Sequence, residues 1–148
     1  MNDKIKRLSK EICQNGELQD YSIVIEFLIE YIYSKGCRIS CNYQTEGSSI
    51  EHSMQGEYLT HIRIGMKNRS DKPLTIIWDI LHEFGHHLSG KPNATGEKII
   101  REIEAWDIAY KELFNFPVFA EFVKNFQSYK ETCLLTYMKN ESNLKTSK

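Results

Sequence analysis

Residues 73–90 read PLTIIWDILHEFGHHLSG, and the spacing within this stretch decides how the rest of the chain is read. At about 100° per residue, Leu74, Ile77, Leu81, Phe84 and Leu88 fall within one arc of about 80°. His82 and His86 lie roughly opposite that arc, with Glu83, Thr75 and Asp79 close by. The pattern predicts a helix that packs by one face and presents His, Glu and His on the other. Pro73 suits the first helical position, where its missing N–H is not needed, and Gly90 suits the far end.

The sequence His82-Glu83-Phe84-Gly85-His86 is an HExxH motif. Histidines at i and i+4 project from one helix face about a turn apart, so both imidazoles can reach one Zn²⁺. A glutamate following the first histidine sits beside the metal, where it can act as a general base. Zinc lowers the pKa of a coordinated water from about 15.7 toward about 7, which makes hydroxide available at neutral pH. Three of the five histidines fall within residues 82–87, a concentration that a merely solvated helix face does not call for. His87 falls at the boundary of the apolar arc and reads as a packed or hydrogen-bonded residue.

Catalytic zinc keeps three protein ligands and one open position. No histidine follows His87, so the third ligand is sought among Glu97, Glu102, Glu104, Asp107 and Glu112. A helix is expected from about Gly96 to Phe114, with Thr95 as its N-cap. Its apolar arc holds Ile99, Ile103, Trp106, Tyr110 and Leu113. Glu102 falls inside the margin of that arc, between Ala109 and Leu113, whereas Glu104 lies outside it near Ile108 and Lys111. A carboxylate facing a core costs several kcal/mol unless it is paired or bound to metal. The wheel therefore favours Glu102, with Glu104 as the alternative.

Upstream, helices are expected over about 3–14 (Ile5, Leu8, Ile12) and about Ser22–Ser34, the latter capped by Gly36. Residues 37–65 change texture. CRISCNYQ and EYLTHIRIGM read as strands, separated by Gly/Ser-rich EGSS and a second turn near Gln55-Gly56. Thr60, Ile62 and Ile64 alternate with Leu59, His61 and Arg63, the period of a sheet with one buried face. Downstream, a last helical region is expected from Pro117 to about Lys139, with a break near Gln127-Ser128. These elements add up to one mostly helical α+β domain over residues 1–140, with two to three strands beside the HExxH helix and a polar, disordered tail over 141–148.

Composition narrows the partners. The chain has 148 residues, 41% hydrophobic and 26% charged, with net charge -1, so no basic surplus points to nucleic acid. Residues 1–7 mix charges with no apolar run behind them, unlike a secretory signal, and no stretch suits a membrane span. Cys13, Cys37, Cys41 and Cys133 form no CxxC pair, which fits reduced thiols and a cytoplasmic location.

HEFGH followed by Glu102-Ile103-Glu104-Ala105-Trp106-Asp107-Ile108-Ala109 resembles the ImmA/IrrE type of small metallopeptidase. That family shows HExGH and then a helix near E-x-x-A-N-x-F-A. Glu102, Ala105 and Ala109 match, while Trp106 and Ile108 replace the Asn and Phe, and a following Leu-Leu-x-Pro is absent. The similarity spans roughly residues 60–115. It implies a zincin-like (gluzincin) domain with zinc on His82, His86 and Glu102, and with Glu83 as the catalytic base. It also implies a peptide or protein substrate, in this family often a transcriptional repressor, and a sheet strand bordering the cleft. EYLTHIRIGM is the expected border strand, with His61 or Arg63 as a candidate oxyanion partner. The competing expectation is a zinc-binding interaction module without turnover.

Overall fold

The change of texture after Gly36 is where helices give way to sheet in the computed structural model, which describes residues 3–53, 59–69, 71–89 and 98–146. Helix α1 spans Asp3–Gly16 and α2 spans Ser22–Ser34, joined through a single 3-10 turn. Gly36 adopts φ +85°, the left-handed conformation that lets the chain leave α2 without a Cβ clash. Strands β1 (Cys37–Asn42), β2 (Ser49–Ser53) and β3 (Leu59–Gly65) follow, then α3 (Leu74–Ser89), α4 (Lys98–Leu113), the short α5 (Pro117–Ala120) and α6 (Val123–Thr146). The result is a mostly helical α+β domain with a three-stranded mixed sheet. The caps expected at Gly90 and Thr95 lie outside the described residues, as does the turn near Gln55-Gly56.

The strand order is β1-β3-β2, with β1 parallel and β2 antiparallel to β3. Ile39 and Ile50 both sit opposite Ile62, so the three isoleucines share one row across the sheet. Thr60, Ile62 and Ile64 are fully buried on that face, as the alternation predicts. β3 is therefore the central strand and cannot be the border strand expected of EYLTHIRIGM, because both its edges are already hydrogen-bonded. The edge that faces the HExxH helix is β2, a strand with no prediction behind it.

Helix α3 runs through the middle of the molecule, against β3 and β2 on one side and α4 and α6 on the other. The expected division into one packed face and one polar face does not hold. Ile76, Trp78 and Ile80, outside the predicted arc, are completely buried, whereas Leu88, inside it, is 36% exposed. A helix with neighbours all round has no wet face to report in its periodicity. At the C-terminal end the break falls at Glu121-Phe122 rather than Gln127-Ser128, and α6 continues to Thr146 instead of ending near Lys139. The run from Asn140 to Thr146 contains no Gly or Pro that would stop a helix. No helix among the described residues is long and apolar enough to cross a membrane.

Candidate metal centre

Gly85 sets the distance between α3 and α4. A Cβ at this position would lie 2.2 Å from the backbone oxygen of Ala105, so the two helices touch where only a hydrogen fits. That contact brings the first turns of α4 over the His-bearing turns of α3. On α4 the buried residues are Ala105, Trp106, Ala109 and Leu113, while Ile103 and Tyr110 of the expected apolar arc are 39% and 37% exposed. The buried stripe is thus rotated toward Glu102, which sits one turn before Ala105 and Trp106.

Three ligand-type side chains meet in this crossing. Glu102 Oε2 lies 2.8 Å from His82 Nε2, and Glu102 Oε1 lies 3.3 Å from His86 Nε2. One donor atom from each of the three residues falls within 4.8 Å of the others. Donors at about 2.0–2.2 Å from a tetrahedral zinc stand about 3.3 Å apart, so the group has the size and the N,N,O chemistry for such an ion. His82, His86 and Glu102 can hold a metal ion. Of the other carboxylates considered, Glu104 lines the adjoining cleft without joining the group, Asp107 is exposed, and Glu112 accepts a hydrogen bond from Asn115 Nδ2 at 2.9 Å. Glu97 lies outside the described residues.

The charges in the group reinforce one another. Burial works to raise the Glu102 carboxyl, but hydrogen bonds from His82 and His86 outweigh it and hold the group down at about 2. Burial disfavours charge on His86, yet the hydrogen bond and charge of Glu102 raise its pKa above the ordinary 6.5. Glu83, only 7% exposed, is pushed up by burial against the pull of His82 and His86. It stays next to His82, with 3.5 Å between Glu83 Oε1 and His82 Nδ1.

Packing fixes the ligands. Trp106, which departs from the family pattern, lies flat on His82 with ring centroids 4.2 Å apart and planes 5° from parallel. His87 is held away from the group. Its Nε2 donates to the carbonyl of Lys35 at 2.7 Å, and Thr60 Oγ1 donates to its Nδ1 at 3.0 Å. It is the hydrogen-bonded residue that its place on the wheel suggests. His61 and Arg63 sit on the far face of the sheet, where His61 Nε2 pairs with Ser40 Oγ at 2.7 Å and Arg63 with Glu51 at 3.2 Å. Neither borders the metal group.

A polar network that the sequence did not single out anchors the edge strand. Arg69, 7% exposed, donates to Asp79 in an ion pair, to Thr75 Oγ1 at 2.7 Å and to the Glu46 carbonyl at 2.8 Å. Asp79 also accepts from Ser48 Oγ at 2.9 Å and from Tyr129 Oη at 2.7 Å. The loop before β2 is thereby tied to α3 one turn ahead of His82. Asp79 stands at i−3 to His82 on the wheel, the one sign of this role in the sequence; Arg69 comes from a loop and gives none.

A cleft of about 540 Å³ opens on the His82 and Asp79 side, and a second of about 320 Å³ on the His86 and Glu102 side. Glu83 and Ser48 line both, and Ser49 and Ile50 of β2 form a wall of the second. The four cysteines are free thiols, and burial pushes Cys37 and Cys41 up to about 12. No protein-family model, curated protein or solved structure matches this chain.

Proposed function

We propose that the chain is a zinc-dependent metallopeptidase of the ImmA/IrrE kind, acting on a specific protein target. One observation carries this reading: the two histidines of HEFGH converge with Glu102 while Glu83, buried beside them, keeps a carboxylate of raised pKa at the cleft. A zinc ion held by His82, His86 and Glu102 would supply Lewis acidity and acidify a water. Glu83 would serve as the general base toward the attacking water and return the proton to the leaving amine. Burial raises the pKa of this carboxyl, which favours its holding the proton between the two transfers. Among the described residues the outer side of β2 is unpaired, and it offers backbone groups to an extended peptide lying along the smaller cleft. In this reading Trp106 keeps the His82 ring from turning, and the Arg69–Asp79 pair keeps β2 at the right height.

Replacing the base tests the assignment. Glu83→Gln should retain about one zinc per chain while losing peptide cleavage by 10²-fold or more, about what general-base catalysis contributes. A variant that keeps both metal and full activity refutes the role of Glu83. Zinc binding by the wild type with no cleavage of any protein or peptide would make the chain a zinc-binding interaction module.

A further inference from the structure

The smaller cleft has a charge pattern that the metal group does not require. Lys98 and Arg101, on the first turn of α4, line it beside His86 and Glu102. Neither takes part in an ion pair among the described residues. Arg101 is half-buried, and its Nε is closed off from solvent with no hydrogen-bond partner. A buried N–H without an acceptor is a standing cost, and in native structures such groups are rare enough to need a reason. The nearby acids do not provide one. Glu102 is engaged by the two histidines, and Glu83 is buried on α3. Glu83, Glu102 and Glu104 share the wall with Lys98 and Arg101, but none of the three pairs with either base.

We infer that Arg101, with Lys98 at the rim, forms a carboxylate-binding subsite on the His86 side of the scissile bond. The substrate supplies either an acidic side chain next to that bond or its own C-terminal carboxylate. A planar guanidinium carries a fork of N–H donors that matches the two oxygens of a carboxylate. Ser49 and Tyr137 line the same cleft. This inference rests on the peptidase reading for its meaning, but the binding of a carboxylate can be measured without turnover.

The first measurement uses the metal-free full chain and three small probes, followed by calorimetry or NMR shifts. They are N-acetylglutamate with its α-carboxyl amidated, N-acetylglutamine with a free α-carboxylate, and N-acetylglutamine amide. At least one of the two acids should bind saturably and the diamide should not. The tighter acid tells whether the substrate carboxylate comes from a side chain or a C-terminus. Arg101→Ala should weaken binding about tenfold, while Arg101→Lys, which keeps the charge and the fold, should lose less. Equal binding of acid and diamide, equal binding by wild type and Arg101→Ala, or no saturable binding overturns the subsite.

The second measurement gives the zinc-loaded chain a peptide mixture. Cleavage beside acidic residues or near free C-termini, with the preference erased by Arg101→Ala, is the expected result. Cleavage indifferent to acids overturns the subsite and leaves the peptidase reading standing. Carboxylate binding that needs Arg101, with no cleavage of any protein or peptide, keeps the subsite and overturns the peptidase reading.

Discussion

Adding a single methyl group at Gly85 should break the metal centre without touching a ligand. In Gly85→Ala the new Cβ would start 2.2 Å from Ala105 O and 3.0 Å from Ala105 C, whereas ordinary contact begins near 3.4 Å. Both partners are backbone in the middle of helices, so no side chain can swing away. Relief requires α4 to withdraw by about 1 Å, the difference between 2.2 and an acceptable contact. Alanine's better helix propensity returns about 1 kcal/mol, and forced overpacking costs about 1–3 kcal/mol or more. The net effect is a loss of up to about 2 kcal/mol in stability, read as a lower urea midpoint at unchanged slope. Metal affinity should suffer more. Glu102 rides on the displaced turn, and its 2.8 Å and 3.3 Å approaches to His82 and His86 would both open. Competition with a chromophoric chelator should show zinc binding weakened by about tenfold or more, the scale seen when supporting contacts of a metal site are removed. Unchanged urea midpoint and unchanged zinc affinity in Gly85→Ala would refute the close helix contact and its role in placing Glu102.

Three further outcomes follow from the geometry. Glu102→Ala should abolish stoichiometric zinc in protein purified and then supplied with metal, while Glu104→Ala should retain it; elemental analysis decides between them. Asp79→Ala leaves Arg69 buried without its counter-charge and should cost about 3–5 kcal/mol in urea unfolding, so a loss under about 1 kcal/mol would show that the pair does not hold the β2 loop. His61 should titrate below 6.5, because burial and then Arg63 disfavour its charge while Glu51 only partly offsets them and Lys4 adds to the effect. Its folded pKa being depressed, the unfolded chain binds more protons between that pKa and 6.5; the stability linked to it is complete above 6.5 and is lost as pH falls through the window. An NMR midpoint for the His61 ring at or above 6.5 would contradict this.

How far the sequence could be read depended on whether the cause was local. The HEFGH helix, the pairing of His82 with His86, and Glu102 as their partner follow from spacing along single helices, and the residues meet in the structure. Gly36 and the alternation of Thr60, Ile62 and Ile64 are likewise local signals. The rest has distant causes. Strand β2, SIEHS, carries one apolar residue and pairs only because β3 offers an edge and Arg69 ties down the loop before it. The burial of Ile76, Trp78 and Ile80 reflects a helix enclosed by sheet and helices, which periodicity cannot express. The rotation of α4 that exposes Ile103 and Tyr110 is imposed by the contact at Gly85, a residue on another helix.

The stacking of Trp106 on His82 has an optical consequence. The indole is 1% exposed and lies face to face with an imidazole whose Nε2 points into the metal group. A change of charge on that imidazole is felt across 4.2 Å by the indole's excited state. Intrinsic fluorescence of the unlabelled protein should therefore change as zinc is titrated in. Trp78, the only other tryptophan, is also fully buried, with its indole N–H tied to Asn125 on α6, so Trp78→Phe leaves the indole on His82 as the single tryptophan emitter.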